Sequence, residues 1–264
     1  MCICSKEEID RDRRHLTNRE WRTILRFLYQ HPGVYIGQGT KCRRFLEGVF
    51  WVLRTGAPWR DVPKRYGNWN SIYQRFGRWC DRGIWAEMLT YFSTDADLEW
   101  LIPDGTIVRA HPCAAGAPAK RGGQQSQALG RSKGGFSTKI HILVDGLGNP
   151  LDFVLTAGQR NEITQATTLL RGHKGDYVIA DKAYDSDDLI AFIISDVGAV
   201  PVIPPRSNRI EPREYDEELY KARYLVECFI NKIKWYRRLF SRFEKLDNRY
   251  LGFLFFASTL IWLR

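Results

Sequence analysis

Residues 220–238, YKARYLVECFINKIKWYRR, decide how this chain is read. At about 100° per residue, Tyr220, Arg223, Glu227 and Lys234 fall within a stripe roughly 60° wide on one face of a helix. Ala222, Leu225, Val226, Phe229, Ile233 and Phe240 fall opposite, where an amphipathic helix docks on a core. A solvated helix face shows such a stripe as well. Glu227 therefore gains meaning only if other carboxylates are placed to meet it.

Two candidates lie upstream. Asp104 in LIPDGTIV and Asp181 in YVIADKAYD each stand among apolar, strand-forming neighbours, and a charge so embedded is costly unless it is paired or binds metal. Residues 98–111 read as a strand, and residues 138–158 as a hairpin turning at Asp145–Asn149. Residues 161–172 and 187–198 read as helices, and residues 176–186 and 199–205 as strands. The order of three strands, helix, strand, helix, strand, helix predicts an α/β fold. Asp104 on the first strand and Asp181 at the end of the fourth then sit on neighbouring central strands, and Glu227 arrives from the last helix. Three oxygen ligands suit magnesium or manganese. Two such ions can activate a water or a DNA 3′-hydroxyl for in-line attack on phosphorus.

The composition fits that chemistry. Lys and Arg number 40 against 30 Asp and Glu, an excess that points to a polyanionic partner. The six cysteines form no C-x-x-C pair, so neither zinc nor a disulfide framework is indicated. Residues 1–14 are charged where a signal peptide needs an apolar run, which predicts a cytoplasmic protein. The apolar stretch 250–264 falls short of the ~20 residues that span a bilayer, so it reads as a buried helix and no membrane is expected.

Upstream of residue 98 the pattern is helical, with a capping pattern from Thr17 to Glu20. Between Trp69 and Trp85, Arg75, Arg78 and Arg82 alternate with Tyr73, Phe76 and Trp79. Phe76 and Trp79 read as core, and the arginines as candidates for DNA phosphates. The glycine-rich stretch 118–139 carries Lys120, Arg121, Arg131 and Lys133, and reads either as a basic flap on DNA or as a plain surface loop. It is no P-loop, because Phe136 stands where lysine is required. His111 and His141 read as structural. The seven Lys and Arg between Lys232 and Arg249 are expected to face the DNA backbone.

The spacing Tyr-x2-Arg-x3-Glu-x6-Lys, carried by Tyr220, Arg223, Glu227 and Lys234, resembles the third acidic motif of bacterial insertion-sequence transposases of the DDE class, in the IS5 family of the IS4/IS5 superfamily. Residues 43–63 are similar to the helical amino-terminal domain of that family, DGTIVRAH to its first acidic motif, GRSKGGFSTKIH to its glycine-rich loop and DKAYDSD to its second acidic motif. The chain departs from the family at Ala183, where Gly is common, at Gly105, where Ser or Thr is often found, and at Pro112-Cys113.

The resemblance implies a charged extension (1–16), a small all-α DNA-binding domain (17–95) and a ribonuclease-H-like catalytic domain (98–264) with a mixed five-stranded sheet flanked by helices. It makes Asp104, Asp181 and Glu227 the catalytic triad, binding Mg2+ or Mn2+. Arg223, Lys234 and Lys182 would contact the transposon end, and Tyr220 would position a phosphate or base. The activity implied is binding of terminal inverted repeats, cleavage at the element ends, and joining of 3′-hydroxyls to target DNA by a homodimer or higher oligomer acting on the nucleoid. A nuclease that cuts without joining, or a DNA-binding relic without catalysis, remains an alternative reading of the same residues.

Overall fold

The computed structural model describes residues 15–117, 119–132 and 134–264; Lys133 and most of the charged extension lie outside the described residues. Helix α1 (Asn18–Gln30) opens on the expected capping box. Thr17 N–H donates to Glu20 Oε2 (2.7 Å) and Glu20 N–H to Thr17 Oγ1 (3.2 Å). Helix α2 (Gly39–Thr55) is followed by two single 3-10 turns, each entered through a proline. Asn68 caps α3 (Trp69–Asp81), and Gly83 separates it from α4 (Ile84–Phe92).

Strands β1 (Trp100–Ala110), β2 (Gly130–Ser132), β3 (Gly135–Val144), β4 (Pro150–Ala157), β5 (Tyr177–Ile179), β6 (Val200–Val202) and β7 (Ser241–Arg242) form one sheet. Its body runs β4-β3-β1-β5-β6, antiparallel across β4, β3 and β1 and parallel across β1, β5 and β6. This is the expected mixed, ribonuclease-H-like sheet flanked by helices, with the strands of Asp104 and Asp181 adjacent and seven strands among the described residues in place of the five expected. The extra two are short pairings: β7 joins the end of β1 well beyond the three residues of β5, and β2 joins the start of β3 beyond β4.

Successive side chains of a strand point to opposite faces, and here both faces are apolar. Leu101, Leu143, Val178 and Ala180 pack under α5 (Ile163–Leu170) and α6 (Asp187–Phe192). Ile102, Ile140, Ile142 and Val144 pack under α8 (Tyr224–Lys234) and α10 (Asp247–Trp262). That second core runs on without a break into α1–α4. Phe76 packs against Phe253 with ring centroids 4.5 Å apart, and Trp85 against Phe256 at 5.0 Å. Phe76 and Trp79 are buried, as read from sequence. Arg264 closes the seam by donating to the buried Glu20 of the α1 cap (2.7 Å). Helix α10 is thus the buried terminal helix expected, and among the described residues no helix is long and apolar enough to cross a membrane.

Residues 217–240 depart from a single helix. Helix α7 (Glu217–Tyr220) passes through a 3-10 turn at Lys221–Arg223 into α8, and α9 (Arg237–Phe240) is a separate single turn. The extended backbone of Tyr236 ends the first helical run. Phe240 therefore loses the phase that assigned it to the apolar face and stands exposed. Ala222, Val226, Phe229 and Ile233 are buried as expected.

The basic tail is corrected more sharply. Arg238 and Arg242 are buried, and Arg249 holds Asp81 of α3 through two hydrogen bonds of 2.8 Å. These three fasten the fold and do not face a DNA backbone.

Candidate active site

Strands β1 and β5 run parallel with Trp100 opposite Tyr177 and Leu101 opposite Val178. Carried forward, that register brings Asp104 level with Asp181, which follows the end of β5 and caps the turn after it by accepting from Ala183 N–H (2.7 Å). The carboxyl ends of adjacent parallel strands are where open α/β sheets place their sites. Asp104 shares the strand face of Ile102, the face that α8 covers.

Helix α8 is seated by the β3–β4 turn. Gly148 there has φ +78°, and a Cβ on it would lie 3.2 Å from the carbonyl oxygen of Leu225, so only glycine lets the turn abut the helix. From that seat Arg223 reaches inward. One guanidinium nitrogen donates to Asp104 Oδ2 (3.0 Å) and another to Glu227 Oε1, four residues on. The stripe read from the sequence thus meets the first carboxylate through its arginine.

Asp104 is mostly buried, and its pKa is pushed up to about 6, chiefly by burial. The Gly105 N–H and Arg223 oppose this shift, while the negative charges of Glu162 and Asp181 add to it. Glu162, just before α5, was not singled out from sequence. Its signal was Gly105, since a glycine inside an apolar strand marks a close approach. A Cβ at Gly105 would sit 2.9 Å from Glu162 Cγ and Oε1. Asp104, Asp181 and Glu227 thus surround Arg223 on the α8 side, while Glu162 and its partner Lys139 lie behind β1, within electrostatic reach of Asp104.

Among the described residues no three side chains form a closed ligand cage, because the guanidinium of Arg223 stands between Asp104 and Glu227. The donor set is nonetheless all oxygen and in excess of the local positive charge. That fits a hard divalent cation and no softer metal.

The loop after β6 fixes the turn that carries Asp181. Arg206 N–H donates to Asp185 Oδ2 (2.9 Å), and its guanidinium donates to the carbonyls of Lys182 (3.3 Å) and Ala183 (2.7 Å). Arg209 and Arg213 each donate to Asp185 Oδ1 (2.9 Å) and also pair with Asp187. Three arginines spaced along residues 206–213 were the available sequence signal for this strap.

The other candidates are dispersed. Tyr184 is buried, Lys182 exposed and Lys234 half-buried, while Tyr220 packs edge-on against Tyr215. Arg75 turns inward over the rings of Phe45 (4.5 Å) and Trp79 (5.2 Å). Arg82 donates to the Gly33 carbonyl (3.0 Å), and Arg78 is exposed on α3. Arg131 is exposed beside Phe136, in a loop partly ordered by β2, while Lys133 lies outside the described residues. His111 is exposed and accepts from Cys113 N–H, and His141 is buried and bonded to Thr156 Oγ1 (2.8 Å).

A ribonuclease-H-like sheet with two aspartates level with each other on its adjacent central strands defines a class of enzymes acting on phosphodiesters. Residues 96–262 match the family described as "Transposase DDE domain", and residues 16–89 the family described as "Putative transposase of IS4/5 family". The chain belongs to the DDE transposases of insertion sequences. It is 44% identical over 130 residues to a protein of Brucella ovis named "Putative transposase for insertion sequence element IS6501", covering 49% of this chain and all of that one. It is 33% identical over 136 residues to "Putative transposase for insertion sequence element IS402" of Burkholderia cepacia, covering 47% of this chain and 62% of the relative. A cryo-EM structure of the piggyBac transposase synaptic complex with hairpin DNA aligns with 92% of this chain and 70% of that one, at 11% identity and a TM-score of 0.44. Membership of the family makes this chain a DNA transposase, a divalent-metal-dependent enzyme whose partner is DNA.

Proposed function

We propose that Asp104, Asp181 and Glu227 are the catalytic carboxylates of this transposase, and that they act on the ends of the insertion sequence that encodes it. The observation that carries this reading is the meeting of Asp104 with the Arg223–Glu227 pair midway along β1, level with Asp181 beyond the end of β5. The bound cation, Mg2+ or Mn2+, would be held by these three and would supply Lewis-acid stabilisation at the scissile phosphate.

The protein's own part is positional. Asp104 and Asp181 are fixed by strand register and by the 206–213 strap, so they are preorganised before DNA arrives. Glu227 is half-exposed on the first turn of α8, at the mouth of the cleft. Arg223 neutralises Asp104 and Glu227, and is placed to donate to a phosphate once those carboxylates take up a cation. Lys182, next to Asp181 in sequence, and Tyr220 and Lys234, from the same stripe as Arg223 and Glu227, would hold the transposon end. Arg78 and Arg131, exposed, are the better placed of the outlying arginines for the flanking duplex, with Lys133 beside Arg131 in sequence. Arg75 and Arg82 would act from behind by shaping the helical unit, residues 17–95. The reaction proposed is hydrolysis at the terminal inverted repeats to expose 3′-hydroxyls, then transesterification into target DNA by a homodimer or higher oligomer at the nucleoid.

The test is incubation of the purified protein with a fragment carrying the element end, with and without Mg2+, beside Glu227→Gln. Metal-dependent cleavage lost in the variant, with joined product in a supercoiled target, is the expected result. Binding without cleavage in the wild type would refute the catalytic assignment, and nicks without joined product would leave a nuclease.

A further inference from the structure

Behind the catalytic strand, on the face turned away from α8, lies a second polar cluster that the reading above does not use. Gly105 is paired with His141 of β3, and the neighbouring pair is Ile107 with Lys139. Lys139 and His141 thus share the strand face opposite to Ile140 and Ile142, the face that α5 covers. Glu162, at the entrance to α5, fills the space left by the missing Gly105 side chain and accepts from Lys139 Nζ (3.1 Å).

The independent observation is Tyr184. It is 1% exposed, packs in the core under α5 and α6, and its hydroxyl has no hydrogen-bond partner among the described residues. It lies within electrostatic reach of Glu162, Asp104 and Asp181. A buried hydroxyl in a folded protein is almost always satisfied, so one left over beside three carboxylates marks a place for a small polar ligand. Magnesium keeps several of its waters, and carboxylates outside the first coordination sphere orient them.

We propose that Glu162, with the Tyr184 hydroxyl, is a positioning residue that holds the water shell of the divalent cation bound by Asp104 and Asp181, approaching from the face opposite to Arg223. Gly105 is then the residue that admits this fourth carboxylate, and Lys139 sets how much of its charge the cation feels. The inference rests on the metal-site reading proposed for Asp104, Asp181 and Glu227. The alternative is a plain ion pair tying β3 to α5.

The experiment measures cation affinity without DNA and without turnover, from the rise in melting temperature of the full chain titrated with Mn2+ or Ca2+. Asp104→Asn serves as the reference for loss of the site. Glu162→Gln is expected to weaken the apparent affinity about tenfold while still giving a response, as is typical when a second-layer ligand is lost. Gly105→Ala, which displaces the Glu162 carboxylate without removing it, is expected to weaken it in the same sense. Lys139→Met is expected to tighten it, because Glu162 loses its competing cation. A structural ion pair predicts that Glu162→Gln and Lys139→Met lower the melting temperature alike and leave the cation midpoint within twofold of wild type. That result overturns the proposal while the wild-type response persists. Absence of any response in the wild type removes the metal site itself, and the proposal with it.

Discussion

Two clusters of arginine and carboxylate stand within residues 98–264, and they do opposite things. In the closed one, Arg238 pairs with Glu244 (2.6 Å), both buried. Arg242 is fully buried and donates to Thr138 Oγ1 (2.6 Å) and to the Glu244 carbonyl (3.0 Å). Guanidiniums outnumber carboxylates there, and the surplus is taken up by backbone carbonyls and by the rings of Phe243 and Tyr250. In the open cluster, Asp104, Asp181, Glu162 and Glu227 outnumber Arg223 and Lys139, and Glu227 reaches solvent. The closed cluster is shut in by the fold, with Arg242 Nη2 and Glu244 Oε2 buried and without a hydrogen-bond partner among the described residues. The open one has unspent negative charge facing a cleft, and that surplus, rather than the residue types, separates a site from a strut.

The sharpest way to break the comparison is to neutralise the open cluster. Asp104→Asn should lower DNA cleavage by roughly 10³–10⁴-fold, read as end-labelled product on a gel. In chelator at pH 7 the same variant should melt no lower than wild type, because it removes a buried charge with like-charged neighbours. If it lost stability and kept activity, the open cluster would be another strut. The converse is Glu244→Ala, which strands Arg238 in the core. It should cost about 3–5 kcal/mol in denaturant unfolding. Cleavage per folded molecule should be unchanged.

A smaller effect comes from His141, behind the open cluster. Burial first, and then Lys139, pull its pKa down from the usual 6.5 to about 4. The folded state therefore resists a proton that the unfolded chain accepts, so stability falls as pH drops from about 6.5 towards 4. The loss at pH 5 should be about 2 kcal/mol. Melting curves of His141→Gln should lack this acid decline, and an equal decline in both proteins would rule the assignment out. The smallest effect sharpens the contrast between outer and inner arginines. Arg78→Ala should shallow the salt dependence of end binding by about one counterion at unchanged melting temperature. Arg75→Ala should instead melt lower, having lost its place over Phe45 and Trp79.

Much of the fold was legible because its signals are local. Alternation along 138–144, the Asp145–Asn149 turn and the helical period of 161–172 each act within a few residues, and the strand order followed from them. Asp104 and Asp181 could be singled out because a lone carboxylate in an apolar strand is costly, and Arg223 could be joined to Glu227 because i,i+4 spacing is a contact. What the sequence hid depends on partners far along the chain. Arg242 meets Thr138 across 104 residues and Arg249 meets Asp81 across 168, so nothing nearby distinguished them from surface cations. Phe240 was misassigned because a helical phase extends only as far as the helix, and Tyr236 ends it. Glu162 was passed over because its meaning lies in a glycine on another strand.

The seam between α10 and the first four helices bears on how the protein comes into being. Phe76 and Trp85 wait for Phe253 and Phe256, which the ribosome delivers some 170 residues later. Until then the early helices present an incomplete apolar face to the cell, a state in which chaperones engage chains and proteases remove them. A chain that stops before α10 would lack Phe253 and Phe256 and would leave that apolar face of the early helices uncovered.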